Sequence, residues 1–261
     1  MKKRRHVLSL FLSFTLGFLL FHQSISSQGL KGKITYQATT NNAINLERIK
    51  NDTSIATERS RKVYIELAKN ATPMNFHLVF NEQEAIFKPK YDRIARRRMG
   101  TLMNYIGGMS KAHLLFYDRF DSKNVLAQSK HFNKIIIAYD AIDWKFTQET
   151  KMIGGYKCYK ATAIITKEQD HVRKNYSKPI VAWYTLDIPV HFGIRNFKGL
   201  PGLTMELHID TGEGYLKYQA IKIELNTSEE IKIEKFKGKQ ITEDAYIKFM
   251  NKMNFQRRTK K

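Results

Sequence analysis

Three side chains able to bind a metal or transfer protons alternate along one short segment: Glu206, His208 and Asp210. Side chains two positions apart in a strand point to the same face, so this spacing places them together. Two imidazoles with a carboxylate are sufficient metal ligands, and His191, just before the preceding turn, would supply the second imidazole. The spacing is not diagnostic, because solvent-facing strands commonly carry such residues. We therefore predict no metal and no cofactor, while the face stays a candidate enzyme site.

Cys158, the single cysteine of the chain, is the other candidate for chemistry. It lies in the alternating segment "GYKCYKATAII", which predicts a strand. Lys157 and Lys160 would lower the pKa of an exposed thiol and make it nucleophilic. The alternation instead favours a half-buried structural thiol. One cysteine also allows no internal disulfide, so packing alone has to stabilise the fold.

Recognised catalytic motifs are missing from the sequence: there is no H-E-x-x-H, no Walker loop and no cysteine pair. The nearest match to a nucleophile elbow, "GMSKA" around Ser110, has Ala112 in place of the second glycine. It also lacks the strand–turn–helix setting that such an elbow needs. We therefore predict no catalytic residue. The absence of these motifs favours a protein without enzymatic activity, and an enzyme stays an open alternative.

The N-terminal segment has the layout of a cleavable secretory signal. A basic start precedes an apolar run over residues 7–21, and serines 24, 26 and 27 lead to Gln28. The run is shorter than the about 20 residues that a spanning helix needs. No cysteine follows it, which excludes a lipoprotein. We expect residues 1–27 to be removed, leaving a periplasmic or secreted chain without a transmembrane segment.

The chain is strongly basic, with a formal net charge of +21. The densest cluster, "KPKYDRIARRRMG" (88–100), contains Arg96, Arg97 and Arg98. Such a cluster can contact anionic lipid or phosphate groups, or it can be a solvated loop without a partner. Export and the absence of a recognition motif argue against nucleic acid as a partner.

Alternating or β-branched segments predict strands along most of the chain. A helix is predicted over 242–253, with Thr242 as N-cap and acidic residues in the first turn. We expect one β-rich domain over 28–255 and a basic disordered tail over 256–261. The fold class is mainly β: a single antiparallel twisted sheet or open barrel with the C-terminal helix packed on it. The predicted strands are 31–40, 61–70, 74–81, 84–88, 134–140, the hairpin 143–167, 179–190, 203–210 and 214–226, and 41–60 is a loop or irregular helix.

The segment "FKGLPGLTMEL" (197–207) contains a compact turn motif, Gly199-Leu200-Pro201-Gly202-Leu203. Residues 200–203 fit a type II turn, in which proline presets φ and Gly202 accepts a positive φ. Gly199 would permit the close approach of another backbone. The aromatic and aliphatic side chains around the turn could line a pocket. These candidates are Trp183, Tyr184, Phe197 and Leu200.

These residues resemble the signature of the GLPGLI family, exported proteins of bacteroidete bacteria. The similarity extends from residues 199–204 back through "AWYT" (182–185) and "GYKC" (155–158) to Trp144, and the early segment "KGKITYQ" (31–37) also fits. It covers most of the mature chain, and its specific part is residues 144–207. Thr204 stands where the signature has isoleucine, which leaves the turn intact. The resemblance implies a signal-bearing, β-rich envelope protein. It implies no chemistry, because the family has no established activity.

Together these patterns predict a non-catalytic binding or accessory protein of the cell envelope. Its partner would be an apolar or peptide-like ligand, a lipid or an envelope protein. Two alternatives stay open. One is an enzyme that uses Cys158 or the face formed by Glu206, His208 and Asp210. The other is a structural partner in an outer-membrane assembly.

Overall fold

A single open sheet dominates the fold. The computed structural model describes residues 29–52, 55, 57–90, 105–129, 134–164, 179–211, 214–226, 233 and 235–259, so the predicted signal and Arg96, Arg97 and Arg98 lie outside the described residues. The predicted mainly β class is confirmed. The strands are β1 (Gly32–Thr40), β2 (Met74–Phe80), β3 (Glu84–Pro89), β4 (Leu114–Arg119), β5 (Val125–Ser129), β6 (Ile135–Tyr139), β7 (Lys145–Ile153), β8 (Tyr156–Ile164), β9 (Pro179–Thr185), β10 (Leu203–Thr211), β11 (Gly214–Leu225) and β12 (Lys239–Thr242).

The sheet consists of two meanders that pair at its centre. Its strand order is β12-β6-β5-β4-β3-β2-β1-β11-β10-β9-β8-β7. Strands β1 to β6 form one half and β7 to β11 the other, and the antiparallel pair β1–β11 connects them at the centre. The prediction of a purely antiparallel sheet is wrong at one edge, where β12 pairs in parallel with β6. Strands β7 and β12 are the two edges, so the sheet does not close.

Within the described residues, four helices accompany the sheet: α1 (Asn42–Asn51), α2 (Glu58–Lys69), α3 (Tyr105–Met109) and α4 (Glu243–Thr259). Thr242 caps α4 as predicted, since its hydroxyl accepts a hydrogen bond from the Ala245 N–H at 3.2 Å. The helix continues beyond the predicted end at residue 253. Residues 256–259, expected in a disordered tail, are therefore helical.

The predicted strand over residues 61–70 is wrong, because this segment belongs to α2. The Thr57 hydroxyl accepts a hydrogen bond from the Ser60 N–H at 3.1 Å, and Glu58 occupies the first turn. Both features stabilise a helix N-terminus. The apolar side chains that suggested a strand, Val63 and Tyr64, are exposed and contribute nothing to the core.

Other predicted strands are largely confirmed, including the hairpin of β7 and β8. Its turn residues Gly154 and Gly155 have positive φ values of 58° and 85°, which glycine adopts readily. The predicted strand over 179–190 ends at Thr185. Strands β4, β5 and β12 were not predicted.

Among the described residues, no helix combines the length and apolarity that crossing a bilayer requires.

The connection between β9 and β10, residues 186–202, packs across the core face of the sheet. We call it the motif loop, because it carries the turn motif. Phe192 approaches Phe80 of β2, with ring centroids 6.3 Å apart, and Arg195 lies 5.7 Å from the Phe116 ring of β4. The loop thus joins the two halves of the sheet. Its buried apolar side chains are Ile188, Val190, Phe192, Ile194, Phe197 and Leu200.

Candidate functional site

Lys198 fastens the motif loop to the corner that follows β4. Its ammonium donates three hydrogen bonds, to Asp118 Oδ1 at 2.6 Å, to the Arg119 carbonyl at 3.2 Å and to the Ser122 carbonyl at 2.7 Å. An ammonium group has three N–H donors, so these acceptors use all of them. All three N–H donors of Lys198 therefore hold the motif loop against this corner.

Trp144, just before β7, holds the same point of the loop from the other half of the sheet. Its indole Nε1–H donates to the Lys198 carbonyl at 2.8 Å. The adjacent Gly199 has φ of +97°, and a Cβ there would lie 3.6 Å from the indole. The left-handed conformation at Gly199 thus lets the chain turn beneath the tryptophan.

The turn motif differs from the predicted type II turn. Positive φ occurs at Gly199, and Gly202 does not have it. The Leu203 N–H bonds to the Ile188 carbonyl at 2.9 Å, so the motif loop closes through that residue. A Cβ at Gly202 would lie 1.9 Å from the Thr185 carbonyl oxygen. The two glycines therefore exchange their predicted roles: Gly199 supplies the unusual φ, and Gly202 permits close backbone approach.

A cleft of about 420 Å³ opens where the motif loop meets the corner after β4 and the start of β7. This volume lies within the range of ligand pockets, about 300–1,000 Å³. Two phenylalanines stand at its rim with most of their surface exposed, Phe120 at 64% and Phe146 at 57%. We call it the loop cleft. Its lining residues are Asp118, Phe120, Phe146, His191, Phe192, Lys198, Gly199, Leu200 and Pro201.

The structure separates the four side chains predicted to line a pocket. Leu200 lines the loop cleft. Tyr184 is buried behind Phe146, with ring centroids 6.0 Å apart. Phe197 is buried in the core beside Arg195. Trp183 lies on the other face of β9, where the Lys151 ammonium is 4.3 Å from its ring.

Several residues of the loop cleft were not predicted from the sequence. Phe120 follows β4, a strand that was not predicted, and Phe146 lies three strands away from β10 in the sheet. Asp118 and Lys198 are distant in sequence, and only the tertiary structure pairs them. One available signal was an isolated phenylalanine among polar residues, "DRFDSKN" around Phe120.

Asp118 is the buried polar residue of the loop cleft. Its Oδ1 accepts from Lys198, whereas its Oδ2 is buried without a hydrogen-bond partner. Burial raises the pKa of this carboxyl group to about 6, although the Lys198 ammonium opposes the shift. Loss of hydration outweighs the ion pair, as is common for buried charges.

Glu206 lies at the centre of an ionic cluster on the face of the sheet opposite the loop cleft, and its carboxylate is fully hydrogen-bonded. It accepts hydrogen bonds from Lys151 at 2.6 Å, from His208 at 2.7 Å and from Lys217 at 2.9 Å. Burial alone would raise its pKa, but these donors lower it to about 2. A carboxylate held ionised in this way is a poor general acid or base near neutral pH.

The remaining members of the proposed catalytic face also have partners. His208 Nδ1 bonds the Tyr215 hydroxyl. Asp210 accepts two hydrogen bonds from the Arg48 guanidinium of α1, at 2.6 and 3.0 Å. Across the part of the chain that the structure describes, no three or more His, Cys, Asp or Glu residues are grouped to hold a metal.

Cys158 is completely buried in the core, beyond the half-burial predicted for it. Burial raises the pKa of its thiol to about 11. The neighbouring lysines therefore do not activate it, because the dominant effect is loss of hydration. The structural interpretation of this thiol agrees with its position.

Arg195 is a buried cation in the motif loop. Its backbone has φ of 58°, and its Nε and Nη1 have no hydrogen-bond partner. The guanidinium carbon lies 5.7 Å from the Phe116 ring centroid and 5.5 Å from that of Phe197. Aromatic faces attract a cation, but they do not replace the hydration of its N–H groups.

The geometry defines an open β-sheet protein whose loop, anchored to both halves, forms one wall of a cleft. The model of a family described as "Protein of unknown function (Porph_ging)" matches residues 144–206. This range begins at Trp144 and ends at Glu206, so it includes the motif loop and its tryptophan anchor. No curated protein matches the chain.

Three of the solved structures that are similar to this chain have low sequence identity to it. PNGF-II has 16% sequence identity and a TM-score of 0.46; the match covers 85% of this chain but spans only 32% of PNGF-II. The Mycobacterium tuberculosis lipoprotein LppX has 10% identity, a TM-score of 0.28 and coverage of 85% and 99%. LprF from Mycobacterium bovis has 9% identity, a TM-score of 0.26 and coverage of 83% and 93%. These TM-scores are too low to establish a common fold, so function has to be argued from the residues of this chain.

Proposed function

We propose that this protein is a non-catalytic ligand-binding protein of the cell envelope and that it holds an apolar or peptide-like ligand in the loop cleft. The observation that carries the proposal is the pair of exposed phenylalanines, Phe120 and Phe146, at the rim of a cleft of about 420 Å³. Large exposed aromatic side chains around a concavity are characteristic of binding sites.

The walls of the loop cleft support an apolar ligand. Phe192, Leu200 and Pro201 contribute apolar surface, and the Phe120 ring meets the His191 ring at a centroid distance of 5.7 Å. A ligand seated between Phe120 and Phe146 would remove both rings from water. Burial of apolar surface is favourable by about 25 cal/mol per Å².

Export and family are part of the proposal. The signal pattern of residues 1–27 and the GLPGLI resemblance support a periplasmic or secreted protein whose domain spans 28–255. The family match at residues 144–206 contains the same motif loop. Arg96, Arg97 and Arg98 would supply an anionic-surface contact, and an envelope protein or lipid would be the partner.

The enzymatic alternative has less support from geometry. Cys158 is buried with a raised pKa, and Glu206 is held ionised by three donors. Neither group has the accessibility and poised protonation state that nucleophilic or acid–base catalysis uses.

Native mass spectrometry of the protein purified from its own envelope tests the proposal. We expect a reproducible bound mass that is lost in Phe146→Ala. The matched control is Ile164→Ala, since Ile164 is equally exposed, at 58%, and does not line the loop cleft. A bare protein mass, or a bound mass unaffected by Phe146→Ala, would contradict ligand binding in the cleft and favour a structural partner in an envelope assembly.

A further inference from the structure

We propose that the ligand carries a hydrogen-bond donor, an amine or hydroxyl group on an apolar body, and that Asp118 accepts this donor at the polar end of the loop cleft. The inference rests on the proposed function, because it concerns the same cleft. It adds the chemical class of the ligand and excludes a carboxylate or phosphate at this position.

Lys198 suggests an anionic ligand at first sight, but its donors are already used. Its three N–H groups are directed to Asp118 Oδ1, the Arg119 carbonyl and the Ser122 carbonyl. An incoming anion would have to break one of these bonds and would also meet the Asp118 carboxylate. Lys198 therefore positions Asp118 and the motif loop without offering a donor to a ligand.

The neighbouring Arg119 is also committed elsewhere. Its Nε and Nη2 donate to the two carboxylate oxygens of Asp121 at 3.0 and 2.7 Å. This pair is exposed and Arg119 does not line the loop cleft. Among the described lining residues, His191 at the rim is the side chain left to donate to a ligand.

The unused hydrogen-bonding capacity is that of an acceptor. Asp118 lines the cleft, is almost fully buried, and has an Oδ2 atom without a partner. A buried acceptor that lacks a donor is unfavourable, and a ligand N–H or O–H would satisfy it. Burial raises the pKa of this carboxyl group, although the Lys198 ammonium and a backbone hydrogen bond from Arg119 oppose the shift.

Four small probes with the same phenyl body test this inference on the unmodified protein at pH 7.5. They are 2-phenylethylamine, 2-phenylethanol, ethylbenzene and 3-phenylpropionate, with Kd measured by ligand-observed NMR titration. We expect the amine and the alcohol to bind about tenfold more tightly than ethylbenzene, because each donates a hydrogen bond. 3-Phenylpropionate should bind no better than ethylbenzene. Tightest binding by the propionate, or equal Kd values for all four, would overturn the inference.

The probes also separate failure of this inference from failure of the proposed function. If ethylbenzene binds and Phe146→Ala weakens it, the cleft is a binding site, and a missing amine preference then refutes only the role of Asp118. If no probe binds but native mass spectrometry shows a bound mass that is lost in Phe146→Ala, only this inference fails; if both experiments are negative, both proposals fail.

Asp118→Asn provides the residue-level test. Its carbonyl oxygen can still accept from Lys198, so the loop anchor is retained, and thermal unfolding checks that the variant folds. We expect the tenfold preference for the amine over ethylbenzene to disappear. The control is Asp121→Asn, which removes an exposed carboxylate from the same corner. An unchanged amine preference in Asp118→Asn, or an equal loss in both variants, would overturn the assignment.

Discussion

Trp144 donates its indole N–H to the backbone carbonyl of Lys198 at 2.8 Å, while the Lys198 ammonium is bonded to Asp118 at 2.6 Å. One loop residue is therefore held from both halves of the sheet. Trp144 precedes the edge strand β7, and Asp118 lies in β4, close to the opposite edge. The motif loop acts as a tie between the halves and shapes the cleft between them.

Trp144→Phe should destabilise the protein by about 1–3 kcal/mol, because the Lys198 carbonyl loses its donor and the smaller ring leaves a space. Urea unfolding measures the change. Trp183→Phe is the control, since Trp183 lies on the other face and contacts the Lys151 ammonium instead. Equal losses in the two variants would argue against a special role for the Trp144–Lys198 bond.

The two glycines of the motif should respond differently to alanine. Gly202→Ala places a Cβ 1.9 Å from the Thr185 carbonyl oxygen and should cost more than about 3 kcal/mol, because two backbone segments must separate. Gly199→Ala meets only ordinary contact with Trp144 and should cost about 1–2 kcal/mol for its positive φ. Thermal and urea unfolding rank the two; a reversed order would contradict these roles.

Asp118 should make stability depend on pH around its raised pKa of about 6. A carboxyl group with a pKa raised above its ordinary value of 3.8 stabilises the fold fully below that value, and the contribution is lost as pH rises through about 6. The stability of wild type relative to Asp118→Asn should therefore fall between pH 4 and 7, by on the order of 2 kcal/mol. Urea unfolding at several pH values tests this, and a pH-independent difference would contradict it.

Glu206 should change stability with pH in the opposite direction to Asp118. Its pKa is lowered to about 2, so its contribution is present above 4.5 and is lost as pH falls through about 2. Glu206→Gln at pH 7 should cost about 3 kcal/mol, because Lys151 and Lys217 keep their charges without the carboxylate. The control Glu149→Gln changes an exposed pair with Lys160 and should cost less than about 1 kcal/mol. A small effect of Glu206→Gln in urea unfolding would argue against the cluster.

Arg195→Met should leave stability unchanged or raise it by about 1–2 kcal/mol. The substitution keeps an apolar chain between Phe116 and Phe197 and removes two buried nitrogens, Nε and Nη1, that have no partner. Differential scanning calorimetry measures the result. A loss of more than about 1 kcal/mol would show that the guanidinium contributes interactions worth more than its burial costs.

The sequence by itself determined the class of fold and most of the strands. Alternation in the segments of β1, β10 and β11 predicted them, because a strand with one buried face needs a period of two. Thr242 and the acidic residues after it marked the start of α4 for a similar reason, since capping is a local interaction. Alternation was misleading at residues 61–70, where the cap at Thr57 and tertiary context produce a helix with exposed Val63 and Tyr64.

Only the tertiary structure decided the site. The turn motif was visible in the sequence, but its neighbours were not. A Cβ added at Gly202 would lie 1.9 Å from the backbone of Thr185, and the ring beside Gly199 belongs to Trp144. Likewise, Asp118 meets Lys198 only because the motif loop crosses the core face to the other half of the sheet. Such contacts depend on the pairing of distant strands, which local patterns do not encode; burial at those contacts then sets the pKa of Asp118 and the chemistry of the loop cleft.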